Sequence, residues 1–227
     1  MTSSQEPENG ALRRDLSFPY RLYRPDDATD EALVLLHGSG PDETSLVPLA
    51  TEIAPRATLV AVRGRITQDG GTRWFTRITP TRFDQESIQT EADAFAAFII
   101  DVAKTHGLDL NRTTFLGYSN GANLVSSVML THPGLIELAV LLRPMPVLDD
   151  APDTDLSEAR ILIIAGAADV TYAPYAPALV ALLRGRGAEV DARTIAAGHE
   201  FGAEDARIIR EWLAPPAAVA TAAGEKG

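Results

Sequence analysis

A serine flanked two residues away on either side by glycine, Gly117-Tyr118-Ser119-Asn120-Gly121, is the stretch of this chain best suited to chemistry. It follows the apolar run TTFLG (113–117) and opens a stretch of helical character (119–134), which places it on a strand-to-helix turn. On such a turn the serine takes strained backbone angles, and the residues two before and two after it must be small. The following helix points its N-terminus at the hydroxyl and favours the negative charge that forms when serine adds to a carbonyl carbon. By composition alone, G-x-S-x-G is expected in roughly one chain in fifteen of this length. The competing reading is a glycine-rich helix start with a serine N-cap. The partners of the serine decide between them.

A serine nucleophile needs a base and an acid that orients the base, and in one of the known chain orders both follow the serine. Asp169, in Gly166-Ala167-Ala168-Asp169, comes directly after the apolar run RILIIAG and so falls at the same sheet edge as Ser119. A turn-forming aspartate is the alternative reading there. Asp149, Asp150, Asp153 and Asp155 crowd one polar loop, Asp191 lies within a strand, and Asp205 in the first turn of a helix is explained by the helix dipole. Of the four histidines, His37 precedes the serine, and His106 and His132 sit at helix ends where they suit C-terminal capping. His199 alone follows Asp169, in a loop between the last strand and the last helix, and is the candidate general base. His199-Glu200 does not begin a zinc-binding H-E-x-x-H, because Ala203 stands where the second histidine would be.

His37-Gly38-Ser39-Gly40 also follows an apolar run and allows the backbone to pass close to a bound carbonyl. The N–H groups of Ser39 and Asn120 are the expected oxyanion donors. The loop has neither G-x-G-x-x-G spacing nor a Walker lysine, which argues against a phosphate cradle. The segment 63–83 is long, irregular and rich in arginine and aromatic residues. Trp74, Phe75 and Phe83 are candidates for the wall of a substrate pocket, or else a cover for the sheet edge, and Met145 is a further pocket candidate. Arg63, Arg65, Arg73, Arg77 and Arg82 are read as surface ion-pair formers rather than as a carboxylate site.

The elements that must hold these residues are legible as an alternation. The runs 32–37, 57–62, 113–117, 137–142 and 160–166 are almost continuously apolar, as strands covered on both faces are. Residues 18–24 alternate like an edge hairpin strand, and 190–195 alternate more weakly as a last strand. Helices are expected over 86–107, 119–134, 175–187 and 202–213, the first carrying Ile88, Ala92, Phe95, Phe98, Ile99 and Val102 on one face. Strand–helix alternation with short connections implies an α/β fold: a mostly parallel, doubly wound sheet with helices on both faces and ligands at the carboxyl ends of its strands. A single domain is expected over 12–214, with disordered tails at 1–11 and 215–227.

The 227 residues carry a formal charge of −11, which disfavours nucleic acid as a partner. The absence of cysteine excludes thiol nucleophiles, disulfides and thiolate metal sites. No apolar run is long enough to span a membrane, and the polar N-terminus lacks the apolar core of a secretory signal, so a cytoplasmic location is expected.

Taken together, L-H-G-S-G-x-D-E, L-x-P-L-A, R-G, R-W-F, a helix after F-D, G-Y-S-N-G-A, G-A-A-D with Pro174 beyond, and G-H-E-F before a final amphipathic helix resemble the phospholipase/carboxylesterase family of α/β-hydrolases. The likeness runs from about residue 18 to 213 and is greatest to its bacterial carboxylesterase-like branch, which is related to the acyl-protein thioesterases. It implies an α/β-hydrolase fold without a large cap domain, a Ser119–Asp169–His199 triad, oxyanion donors at Ser39 and Asn120, and no metal or organic cofactor. Family members often dimerise, so the resemblance also implies a homodimer, which nothing in the sequence itself indicates. Asn120 stands where glutamine is frequent, and Ser39 replaces the leucine of the thioesterase branch, which weakens the case for long-chain acyl-protein substrates. The expected reaction is hydrolysis of small to medium carboxylic esters through an acyl-enzyme. Thioesterase or lysophospholipase activity on the same triad and a catalytically silent binding protein are the alternatives.

Overall fold

The structure, a computed structural model, describes residues 9–214; the tails expected at 1–8 and 215–227 lie outside the described residues. Residues 9–11, expected to belong to the first tail, lie along the sheet instead: Gly10 N–H donates to Leu22 O at 2.7 Å, and Asn9 Nδ2 donates to Arg24 O.

In chain order the elements are β1 (Leu12–Arg13), β2 (Tyr20–Tyr23), β3 (Ala32–Leu36), α1 (Val47–Ile53), β4 (Thr58–Val62), β5 (Ile66–Gln68), β6 (Gly71–Arg73), β7 (Arg77–Thr79), β8 (Arg82–Phe83), α2 (Gln85–His106), β9 (Thr113–Tyr118), α3 (Asn120–Thr131), β10 (Leu138–Leu142), β11 (Arg160–Gly166), α4 (Ala176–Gly185), β12 (Glu189–Ile195) and α5 (Ala203–Leu213). Eight strands form one sheet in the order β1-β2-β4-β3-β9-β10-β11-β12. From β4 to β12 every neighbouring pair is parallel, while β1 and β2 join antiparallel. The 18–24 strand is therefore one place in from the edge that the alternation assigned to it, with the short β1 outside it.

The parallel strands β3, β4, β9, β10 and β11 are buried on both faces, which is why their sequences read as unbroken apolar runs. On one face α2, α3 and α4 contribute Phe95, Phe98, Leu124, Val125 and Leu179 to a core that includes Phe18 and Trp74. On the other, α1 and α5 contribute Leu49, Ile53, Ile209 and Trp212. Helix α2 starts where Asp84 accepts the Ser87 N–H and stops at Gly107 in the left-handed region. None of the described helices is long and apolar enough to cross a membrane.

Two features were not expected. Helix α1 has only seven residues, too few for a visible apolar period, although Pro48 sits in its first turn as helix starts allow. The segment 63–83 is not irregular: β5–β6 and β7–β8 are two small antiparallel hairpins. The first is joined to the loop after β3 by a bridge between Gly40 and Thr72, with Gly40 N–H donating to Thr72 O at 3.0 Å.

Candidate active site

The carboxyl ends of β3, β9, β11 and β12 lie along one side of the sheet, and the residues just beyond them converge there. Ser119 leaves β9 at φ 50° and ψ −113°, a conformation that strains any residue with a Cβ, and its N–H continues the ladder by donating to Leu142 O at 2.8 Å. The two flanking glycines are required by contact. A Cβ on Gly117 would lie 2.6 Å from the backbone of Ala122, and one on Gly121 would lie 2.2 Å from Leu36 O. The elbow is thus pressed between its own helix and the neighbouring strand.

His199 Nε2 lies 3.0 Å from Ser119 Oγ, and its Nδ1 lies 2.6 Å from Asp169 Oδ2. Asp169 is buried, and its other oxygen accepts the Tyr172 N–H at 3.1 Å. The order Nδ1–carboxylate, Nε2–hydroxyl leaves Nε2 free to take the serine proton.

What holds the imidazole in place was not read from the sequence. Arg143 donates from Nε to Gly198 O and from Nη2 to Glu200 O, at 2.9 and 2.8 Å, and Tyr118 Oη donates to His199 O at 3.2 Å. Three consecutive carbonyls of the histidine loop are therefore tethered. Arg143 is itself fixed by a two-point ion pair with Asp205, with both side chains almost wholly removed from solvent. Asp205 was assigned to the helix dipole alone; it does cap α5 through the Gly202 N–H, but its main partner is this arginine. The rings of Tyr118 and Tyr172 flank the imidazole at centroid distances of 5.3 and 4.8 Å. Burial pushes the Tyr118 hydroxyl up to about 12, so it stays a donor at neutral pH.

A cavity of about 490 Å³ opens over Ser119 and His199, and Ser39, Asn120, Asn123, Phe83, Met145 and Tyr172 line it. Gly40 N–H is engaged by Thr72, whereas Ser39 is exposed at the cavity. Asn120 is the first residue of α3, where a helix has no internal acceptor for its N–H. Met145 and Phe83 line this cavity. Trp74 and Phe75 do not: both are fully buried in the core, Trp74 against Phe18 and Phe95. Trp74 anchors the end of the β5–β6 hairpin, whereas Phe75 packs edge-on against Phe83 of β8. Trp74 Nε1 donates to His37 O at 2.8 Å, and Trp74 N–H donates to Asn120 Oδ1 at 2.8 Å.

His37 belongs to the same clamp. Its Nε2 accepts the Gly64 N–H at 3.0 Å, so Nδ1 carries the proton and donates to Gly38 O at 2.6 Å. Burial holds its pKa below the ordinary imidazole value. As pH falls below about 6.5 the unfolded chain takes up a proton that the folded protein resists, so stability is complete above that pH and is lost as pH falls through the folded value. We expect the melting temperature of His37→Asn to fall less between pH 7 and pH 5 than that of wild type. Equal slopes in scanning fluorimetry would assign the acid sensitivity elsewhere.

The ion-pair reading of the arginines holds for three of the five, and two of the three acids are buried rather than at the surface. Arg63 pairs with Glu43 and Arg65 with Glu91, both buried carboxylates, and Arg77 pairs with the exposed Asp69. Arg82 is exposed. Arg73 is buried.

A family model described as phospholipase/carboxylesterase matches residues 20–148. That stretch contains Ser39 and Ser119 but ends before Asp169 and His199. MhqD of Bacillus subtilis strain 168, a protein named as a hydrolase, is 31% identical over 185 residues, covering 81% of this chain and 92% of its own. Among solved structures, a carboxylesterase from Mesorhizobium loti is 64% identical with a TM-score of 0.90, over 92% of this chain and 100% of its own. The Bacillus cereus carboxylesterase is 28% identical with a TM-score of 0.83, over 87% and 94%.

Proposed function

The chain belongs to the phospholipase/carboxylesterase family, and on that premise we propose that it hydrolyses carboxylic esters with Ser119 as nucleophile, His199 as base and Asp169 as the group that orients the base. The observation that carries this reading is the unbroken line from Asp169 Oδ2 through the imidazole to Ser119 Oγ, with both hydrogen-bond distances at or below 3.0 Å. Ser119 Oγ adds to the ester carbonyl while its proton passes to His199 Nε2. The carbonyl oxygen becomes an oxyanion facing the N–H groups of Ser39 and Asn120, at the positive end of α3. The imidazolium then protonates the leaving alkoxide, and the alcohol departs. A water molecule, deprotonated by the same Nε2, adds to the acyl-enzyme and releases the carboxylic acid. Asp169 accepts the Nδ1–H throughout and stabilises the imidazolium.

Hydrolysis of p-nitrophenyl esters from acetate to decanoate by wild type and Ser119→Ala tests the assignment. The substitution is expected to lower kcat by a factor on the order of 10⁵ to 10⁶, and a fluorophosphonate probe is expected to label only the wild type. Equal activity in both proteins, or labelling of the Ser119→Ala protein, would remove Ser119 from the role.

A further inference from the structure

Arg73 is the second unusual charge at this site. It lies at the end of β6, is only 5% exposed, and lines the cavity that holds Ser119 and His199. Among the described residues its guanidinium makes no ion pair within 4.0 Å, and its buried Nε has no acceptor. A buried guanidinium without a carboxylate is costly, because it gives up hydration without gaining a counter-charge. The other arginines of the segment do not carry that cost, since Arg63, Arg65 and Arg77 each have an acid. Two more donors on the same cavity are in the same condition, Ser45 Oγ and Asn120 Nδ2. Arg73 cannot withdraw to solvent. Thr72 before it is bonded to Gly40, and Trp74 after it is bonded to His37 and Asn120.

We propose that Arg73 binds a carboxylate carried by the substrate, so that the esters this site takes are those with a free carboxylate close to the scissile bond, such as monoesters of small dicarboxylic acids. The proposal rests on the esterase reading above and narrows its substrate class. The charge balance selects the ligand. One unpaired cation with two neutral donors matches a monoanion, since Arg77 is already neutralised by Asp69 and Arg143 by Asp205. A guanidinium edge presents two parallel N–H groups to the two oxygens of a carboxylate. Burial and the neighbouring Arg77 both pull the Arg73 pKa below the ordinary guanidinium value, and an anion bound beside it reverses that cost. Within a protein of net charge −11, an unpaired Arg73 supplies a positive charge at this point, which favours these esters over neutral ones. Glu200 is the carboxylate on the cavity's lining, and it is exposed at the rim.

The test compares ethyl hydrogen succinate with its neutral isostere ethyl 4-methylpentanoate, and O-acetylglycolate with isobutyl acetate. The first pair puts the carboxylate on the acyl side and the second on the alcohol side. In wild type, kcat/KM for the charged member of at least one pair is expected to exceed that of its isostere tenfold or more, as charge-assisted hydrogen bonds allow. In Arg73→Met the ratio is expected to fall at least tenfold, with part of it kept in Arg73→Lys. Arg73→Met is also expected to melt no lower than wild type, because it removes an uncompensated buried charge. Independently of turnover, calorimetry should show Ser119→Ala binding ethyl hydrogen succinate or O-acetylglycolate at least tenfold more tightly than Ser119→Ala/Arg73→Met does. Equal ratios in wild type and Arg73→Met, together with equal binding in the calorimeter, overturn the proposal. Tight binding by Ser119→Ala with no ester turnover by wild type would instead retain the anion site and refute the esterase reading.

Discussion

Asp169→Asn is expected to lower kcat for ester hydrolysis by roughly 10⁴-fold with little change in KM or melting temperature. The side chains are isosteric, and the asparagine carbonyl can keep the Tyr172 N–H that Asp169 Oδ1 now accepts. The amide group then occupies the place of Oδ2, 2.6 Å from His199 Nδ1, and presents a donor where an acceptor stood. The imidazole must answer with the other tautomer, which places its proton on Nε2, facing Ser119 Oγ at 3.0 Å. A base that already holds a proton there cannot accept the serine's. Steady-state kinetics beside a melting curve checks this, and a loss of less than tenfold in kcat would show that Asp169 does not set the tautomer.

The second large effect is expected at Arg143, through a different cause. Arg143→Met leaves the Asp205 carboxylate buried without its cation and removes donors from the carbonyls of Ile164, Gly198 and Glu200. Breaking one side of a buried pair costs about 3–5 kcal/mol, whereas replacing both sides by apolar residues is often close to neutral. Arg143→Met is therefore expected to destabilise strongly, and Arg143→Met/Asp205→Leu to recover most of the melting temperature. Activity should not follow stability. Without the tethers at 198 and 200 the imidazole is no longer held on Ser119, and a displacement of about 1 Å is enough to cost roughly 100-fold in rate. If kcat returned together with stability in the double variant, the pair would be a structural element with no positioning role.

Local pattern carried the elbow and the convergence of Ser119, Asp169 and His199 into view, because a strained turn admits few residue types and places its neighbours at fixed spacing. Gly117 and Gly121 are small for reasons that contact distances make plain. The five central strands were equally legible, being buried on both faces. Helix α1 was missed because seven residues do not complete a pattern, and the hairpins β5–β6 and β7–β8 because strands of two or three residues leave no alternation to find. Trp74 and Phe75 looked like pocket walls because composition does not say which side of a hairpin faces the core. The pairing of Arg143 with Asp205 spans 62 residues, and no periodicity signals it. Arg73 was indistinguishable from four neighbouring arginines until each acid had found its partner in three dimensions.

On the proposed roles, the order of elements also sets what must pair before serine and base meet. Ser119 is fixed once β9 and β10 have paired, since its own N–H is bonded to Leu142 O. His199 arrives 80 residues later in the chain. Its loop is held only after β12 has paired with β11, and after Asp205 has carried α5 onto α1, where Arg210 meets Glu52. Contacts this distant in sequence are among the slower ones to form, and a chain growing from the ribosome takes some seconds to cover the interval. On the proposed roles, serine and base meet only where the carboxyl-terminal strand and helix are docked, so a chain without that docking would hold a serine without its base.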